Sequence, residues 1–258
     1  MKKYILFPLI CLFALNLLAQ RDYGIDSSLV MDWEKYDPPA TLVVPENPVN
    51  RAKFRFIDVH SHQWRMDTSN LDKLVSDMDD LNMGVMVNLS GRNSEKLKNM
   101  VENTKRQGYD NRIVVFSNIE WRSIDEPGWA TETCKQLEYD VKNGSRGLKI
   151  YKSQCVHHRD VNGDRIRIND PRLDSVWAKC GELGIPVLIH AADPAPFWQP
   201  HDENNERWLE LKLRPRRKRD ADNPAPFETI IAEQHDIFRR HKNTTFINAH
   251  MGWYANDL

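Results

Sequence analysis

Two histidines, His60 and His62, stand one residue apart at the end of the apolar stretch FRFIDVHSHQW. Side chains alternate between the two faces of a strand, so a strand through this stretch would place both imidazoles on one face. Neutral imidazole nitrogens bind divalent transition metals, and two of them at this spacing can bind one zinc ion. The pattern therefore predicts part of a metal site where this strand ends.

Two further histidines end apolar stretches later in the chain. His190 ends PVLIH, and His250 ends TTFINAH. In a β/α barrel the carboxyl ends of all strands surround one mouth. A lone histidine at a strand end is more often an ordinary hydrogen-bonding residue, whereas four that converge from three strands favour a metal site.

The elements that must position these histidines alternate between strands and helices. Apolar stretches predict six strands, at residues 54–59, 85–89, 112–121, 147–151, 185–191 and 244–250. Amphipathic periods predict the intervening helices, at residues 71–81, 94–106, 131–143, 171–184 and 224–241. The first strand, Phe54 to Val59, is expected to be buried. Most strand starts are about 30 residues apart, which is typical of a TIM (β/α)8 barrel. The fold class is therefore α/β, with about six of eight βα units present.

An open doubly wound sheet is the alternative architecture. It is less well supported, because no glycine-rich phosphate turn follows the first strand and no helix covers the sixth. The chain stops at HMGWYANDL, where a barrel helix should begin. We therefore expect a C-terminally truncated barrel over residues 54–258, whose two open sheet edges favour association into oligomers.

The amino-terminal segments predict export. Residues 1–20 combine Lys2 and Lys3 with an apolar run and a small residue, Ala19, as in a secretory signal peptide. An uncleaved anchor helix is the alternative, since the run is slightly shorter than a membrane span. We expect cleavage, no stable membrane insertion afterwards, and a periplasmic or extracellular protein in which residues 21–53 form an extended arm.

Charge and cysteine content exclude several classes of partner. The formal net charge is −1, so neither nucleic acid nor an anionic membrane surface is favoured, and a small-molecule substrate is expected. Three widely spaced cysteines beyond residue 20 form no disulfide framework. Cys155 lies near His157 and His158, which is an alternative site for a soft metal, although it lacks the paired spacing of a zinc site.

Residues 193–223 interrupt the barrel pattern after the fifth strand. On a barrel this loop lies at the mouth, so its aromatic residues can form a lid over substrate. The basic run within it, residues 212–219, is expected to be a solvated surface balanced by nearby acidic residues rather than a nucleic-acid patch.

Four segments in chain order, FIDVHSH, RGLKIYK, PVLIHAADP and NTTFINAHMGW, resemble the amidohydrolase superfamily, in particular the amidohydrolase 2 branch, which includes related decarboxylases. The resemblance spans residues ~54 to 258. It implies that His60, His62 and His190 bind a divalent metal, usually one zinc, and that His250 is catalytic. It also implies a metal-binding aspartate after an eighth strand, which these 258 residues do not reach.

Lys149 and Trp64 are the candidate substrate-binding residues. Lys149 shares a strand face with Tyr151, opposite Leu148 and Ile150, so it points into the barrel if those two residues pack on the helices. Three roles are open for it: an anion contact, a carboxylated lysine that bridges two metals, or a lysine at the solvent rim.

A histidine site with an open position lowers the pKa of a bound water to about 7. The expected reaction is attack of this water on an amide, ester or lactone carbonyl, with His250 near the developing oxyanion. Non-oxidative decarboxylation on the same scaffold is the first alternative. An inactive fragment, or an exported binding protein on a degenerate barrel, is the second.

Overall fold

The computed structural model describes residues 25–39 and 48–253. The predicted signal peptide and part of the predicted arm lie outside these ranges. The strands are β1 Phe56–Ser61, β2 Met83–Asn88, β3 Ile113–Val115, β4 Leu148–Ile150, β5 Val187–Ile189 and β6 Phe246–Asn248. The helices are α1 Asp72–Leu81, α2 Ser94–Arg106, α3 Trp129–Lys142, α4 Lys152–His157, α5 Asp174–Glu182, α6 Trp208–Leu213 and α7 Phe227–Arg240.

The strands form two parallel sheets in chain order, β1-β2-β3 and β4-β5-β6. A parallel bridge between Ser117 and Leu148 joins the sheets, and the Lys149 amide donates to the Ser117 carbonyl at 2.9 Å. The strand order contains no reversal, whereas a doubly wound sheet reverses at its switch point. The α/β fold class is confirmed, and the arrangement is that of a partial barrel.

The main core lies between β4, β5 and the helices outside them. Leu148, Ile150, Val187 and Ile189 are fully buried, and they pack with Trp177 of α5. Each buried aliphatic side chain of this kind contributes about 1.5 to 3 kcal/mol. Because these residues face the helices, the residues between them face the barrel interior.

Strand β1 differs from its prediction. It was expected to be buried, but Ile57 is 60% exposed and Val59 is 48% exposed. Within the described residues β1 pairs with β2 alone, so it is an edge strand and its outer surface is open. The apolar pattern correctly indicated a strand, and the prediction of burial was wrong.

The segment between β5 and α7 packs on the amino-terminal residues. The Asp26 amide donates to the Lys212 carbonyl at 3.1 Å, and the Asp37 amide donates to the Glu203 carbonyl at 3.2 Å. The basic run is not wholly solvated, because Arg219 is buried and pairs with Asp193 at 2.8 Å. This ion pair attaches the segment to the residues that follow β5.

No helix within residues 25–39 and 48–253 has the length and hydrophobicity needed to cross a bilayer.

Candidate metal centre

Three histidines from three strand ends meet at the mouth of the partial barrel. His60 lies in β1, His190 follows β5 and His250 follows β6, and one ring nitrogen from each lies within 4.8 Å of the other two. The ring centroids of His190 and His250 are 4.4 Å apart, and those of His60 and His250 are 5.1 Å apart. Strands β1 and β6 are remote in the sheet order, so curvature of the sheet brings their ends together.

A left-handed turn presents His250. The four residues from His250 to Trp253 all have positive φ, at 55°, 54°, 65° and 66°. Such backbone costs energy at residues other than glycine and is concentrated at functional sites. The turn also places the Trp253 ring 4.7 Å from the His250 ring and 5.5 Å from the His190 ring, so one indole contacts two histidines of the cluster.

The clustered histidines are neutral at pH 7. Burial, together with the nearby charge of Lys149, lowers the pKa of His190 to about 2 and that of His60 to about 4. The pKa of His250 is also lowered, mainly by burial. Neutral imidazoles keep the lone pairs that a metal requires.

The His190 side chain also supports metal binding. Its Nε2 is buried and has no hydrogen-bond partner. A buried polar atom without a partner costs about 1 to 3 kcal/mol, and coordination to a divalent ion would remove that cost. The three residues therefore fit a divalent metal.

His62 lies beside this cluster and outside it. Its Nδ1 is 2.8 Å from the Ser90 hydroxyl, and its ring lies parallel to that of Trp64 within 10°. Side-chain alternation holds only within a strand, and β1 ends at Ser61. When Nδ1 donates to Ser90, Nε2 keeps the lone pair that a metal requires. Because His62 lies outside the cluster, its role as a ligand stays a prediction.

Lys149 points into the mouth, as predicted from the burial of its strand neighbours. The residue is 1% exposed, and its Nζ lies 3.4 Å from the His60 Nε2. Burial lowers its pKa to about 8. Among the described residues no carboxylate pairs with this ammonium, so it is a buried cation with no acidic partner there. The alternative of a rim lysine is wrong.

Trp64 lies near the cluster, together with residues that the sequence reasoning missed as site residues. The Tyr151 hydroxyl donates to the Leu89 carbonyl at 2.9 Å, which fixes its ring beside Trp64 and His62. The Arg92 guanidinium lies 4.7 Å from the Trp64 ring centroid. The sequence contained a signal for both residues. Tyr151 alternates with Lys149 along the predicted strand 147–151, although β4 itself ends at Ile150, and Arg92 lies just beyond the carboxyl end of β2.

The alternative cluster around Cys155 does not form. Cys155 is fully buried, and burial raises the pKa of its thiol to about 12, so the thiolate that binds metals is disfavoured. His158 instead contacts the Ser153 carbonyl through Nδ1 at 3.1 Å. Among the described residues, the side chains that lie close enough together to bind one metal ion are those of His60, His190 and His250.

Comparison with known proteins identifies the family. The family model described as amidohydrolase matches residues 57–257. No curated protein matches the chain.

Several solved structures are similar to this chain. An amidohydrolase from Mycobacterium avium subsp. paratuberculosis K-10 is 16% identical with a TM-score of 0.40, and the match covers 72% of this chain and 49% of the other. A 2,6-dihydroxybenzoate decarboxylase in complex with 2,6-dihydroxybenzoate is 14% identical with a TM-score of 0.45, covering 72% and 57%. A 2,6-dihydroxybenzoate decarboxylase from Rhizobium is 13% identical with a TM-score of 0.47, covering 79% and 67%. The chain thus spans about half the length of the first of these proteins.

Proposed function

The chain belongs to the amidohydrolase family, and from this premise we propose that His60, His190 and His250 hold the divalent metal of an enzyme that hydrolyses a small-molecule substrate. The observation that carries the proposal is the convergence of three neutral imidazoles, one with an orphaned buried nitrogen, at the mouth of a partial barrel. Nitrogen donors suit zinc among the common divalent metals, so zinc is the metal we propose. His62 is proposed as a further ligand through its Nε2.

A divalent ion at such a site supplies Lewis-acid activation of an oxygen atom. The chain's own residues supply orientation and charge. Lys149 lies against His60 and would attract an oxygen that carries or gains negative charge there, and the neutral His250 offers a ring nitrogen for binding the metal. An amide, ester or lactone carbonyl is the reacting group that this arrangement suits.

Decarboxylation is the second candidate, and a specific observation favours it. Lys149 is a buried ammonium with no carboxylate partner in the described residues, and an isolated buried charge is costly. A substrate carboxylate bound at the histidines would pair with it. Decarboxylation requires such a carboxylate at the reacting position, whereas hydrolysis of a neutral substrate leaves the ammonium unpaired.

Metal content tests the proposal directly. We expect purified protein to contain about one equivalent of zinc by elemental analysis, and the His60→Ala variant to lose it, since one of the proposed histidine ligands is removed. His157→Ala is the matched control, because His157 is an exposed histidine outside the cluster. Equal metal in the wild type and in His60→Ala refutes the site, and selective loss from His157→Ala supports a centre near Cys155.

Activity distinguishes the two reactions. Zinc-loaded protein is incubated with a panel of esters, lactones and amides, followed by acid release, and with a panel of carboxylates, followed by release of carbon dioxide. Hydrolysis abolished by His60→Ala supports the first candidate. Carbon dioxide release abolished by both His60→Ala and Lys149→Met supports the second.

Export through residues 1–20 is a separate proposal. It is supported by the basic start, the apolar run and the small residue at Ala19. Sequencing the amino terminus of protein recovered outside the cytoplasm tests it, and a start near Arg21 is expected. Recovery of the intact amino terminus in the membrane fraction would support an anchor instead.

A further inference from the structure

Two imidazoles of the histidine cluster, those of His190 and His250, are oriented in an unusual way for metal ligands. A metal-binding histidine usually donates a hydrogen bond from its second ring nitrogen to a carboxylate, a carbonyl or a water, and this bond fixes the direction of the ring. His62 has a contact of this kind with the Ser90 hydroxyl. In the part of the chain that the structure describes, the side chains of His190 and His250 form no hydrogen bond and contact other rings instead.

Trp253 contacts both of these imidazoles with a single indole. The ring centroids of Trp253 and His250 are 4.7 Å apart with an interplanar angle of 31°, and those of Trp253 and His190 are 5.5 Å apart with an angle of 42°. The two imidazoles are themselves 4.4 Å apart. A rigid bicyclic ring against both of them restricts their rotation together, which is the effect that a hydrogen bond has on a single ligand.

The indole of Trp253 is held in place by packing. It lies against the main core, the cluster that includes Ile150 and Ile189 at the ends of β4 and β5. Its Nε1 is buried and has no hydrogen-bond partner among residues 25–39 and 48–253. Trp198 packs against the same core, and its Nε1 donates to the Ala225 carbonyl at 2.9 Å. The position of the Trp253 ring therefore depends on its shape rather than on its N–H group.

The backbone that carries His250 makes this packing important. His250, Met251 and Trp253 all have positive φ, and such backbone persists in residues other than glycine only where the surroundings hold it. Gly252 lies between them, and a Cβ there would be 3.0 Å from the Asn248 side-chain nitrogen. Trp253 ends this turn and buries its ring against the core, so loss of the ring would release the turn and displace His250.

We propose that Trp253 is a positioning residue for the metal centre, whose indole holds the imidazoles of His190 and His250 where they can bind one ion. This inference rests on the proposed function, because it takes the histidine cluster as the metal site. Trp253 supplies no ligand atom and acts through the two histidines. Its removal leaves all of the proposed ligands in the chain and should still weaken metal binding.

Three variants test the proposal. Trp253→Leu removes the ring, whereas Trp253→Phe keeps an aromatic ring and, because Nε1 has no partner among the described residues, gives up no hydrogen bond there. Trp198→Leu is the matched control, because it removes a partly buried indole from the same core, where the ring contact is with Phe227 at 5.3 Å. Three quantities are measured: the zinc dissociation constant by competition with a chromophoric chelator, the absorption spectrum of the cobalt-loaded protein, and the melting temperature of the metal-free protein.

We expect Trp253→Leu to bind zinc about 10- to 100-fold more weakly than the wild type, the usual effect of losing a residue that orients a metal ligand. Its cobalt spectrum should change, because the geometry around the ion changes. Trp253→Phe should recover most of the affinity and the wild-type spectrum, and Trp198→Leu should match the wild type in both. A purely structural role for Trp253 would lower the melting temperature of Trp253→Leu and leave the dissociation constant and the spectrum unchanged.

Three results would overturn the proposal: wild-type zinc affinity in Trp253→Leu, an equal loss of affinity in Trp198→Leu, or no recovery in Trp253→Phe. Trp253→Met also lacks a ring but fills more of the space with a flexible side chain, and it replaces Trp253→Leu in the same measurements if that variant does not fold.

The outcomes separate this inference from the proposed function. Zinc that depends on His60 but binds equally well to Trp253→Leu refutes the role of Trp253 and leaves the metal site standing. A wild type that binds no zinc refutes the metal site itself, and the role of Trp253 falls with it.

Discussion

Replacement of Asp140 by asparagine should change the pH dependence of stability in a defined way. Asp140 is a fully buried carboxyl in α3, and its Oδ1 accepts the Ser94 amide at the start of α2 at 2.7 Å. Burial raises its pKa from 3.8 to about 6. This contact matters for the site, because the start of α2 holds the loop that carries Arg92.

The sign and size of the expected change in stability follow from the raised pKa of Asp140. A raised pKa means that the folded state favours the protonated carboxyl, so the stability that Asp140 contributes is complete below pH 3.8 and is lost as the pH rises through about 6. At 1.36 kcal/mol per unit, the loss across this window is up to about 3 kcal/mol. Asparagine keeps an oxygen acceptor for the Ser94 amide and does not titrate, so Asp140→Asn should lack this loss.

Urea unfolding at pH 4, 5, 6 and 7 measures the effect. The free energy of unfolding of Asp140→Asn, relative to the wild type, should rise by up to about 3 kcal/mol between pH 4 and pH 7. Asp110→Asn makes the same chemical change at an exposed carboxyl that forms no ion pair with any described residue, so it serves as the matched control for the pH-dependent difference. A flat difference for Asp140→Asn as well would refute the reasoning, since it would place the pKa of Asp140 in its usual range.

Three further substitutions test the packing around the mouth. Asp193→Asn removes the negative charge that pairs with the buried Arg219 and with Lys152, and it should cost about 3 to 5 kcal/mol in urea unfolding, more than the loss of any surface pair. Gly91→Ala would place a Cβ 2.1 Å from the Phe116 carbonyl oxygen, so the chain should lose about 1 to 3 kcal/mol or more, seen as a lower melting temperature. Ile57→Lys puts a charge on the exposed edge strand β1, and it should reduce association in sedimentation velocity without changing the circular dichroism spectrum.

The alternation of strands and helices was predictable because it depends on the local periodicity of apolar residues along the sequence. Helix α2 was predicted at its observed bounds, and the inward direction of Lys149 followed from Leu148 and Ile150 packing outward. The meeting of His60, His190 and His250 followed from one rule, that parallel strands of a barrel end at one mouth. These inferences needed only the period of the pattern and the topology it implies.

Other features depend on contacts that no local pattern encodes. The separation of His62 from the cluster depends on where β1 stops, which is at Ser61, after a register shift between Asp58 and Ser61 in its pairing with β2. The exposure of β1 depends on which strands lie beside it, while its own residues predict only that it is a strand. The position of Arg92 depends on a positive φ at a residue other than glycine, which propensity does not predict.

The net charge of the chain does not describe the local charge at the barrel mouth. The net charge of −1 argues against nucleic acid as a partner, but it says little about the field at the mouth. Burial keeps His60 and His190 neutral, so the positive charge there comes from Lys149 and Arg92, neither of which has a carboxylate partner in the described residues. In the proposed enzyme the two roles therefore belong to different side chains: the histidines keep their lone pairs for a metal, and Lys149 attracts a negatively charged oxygen of the substrate.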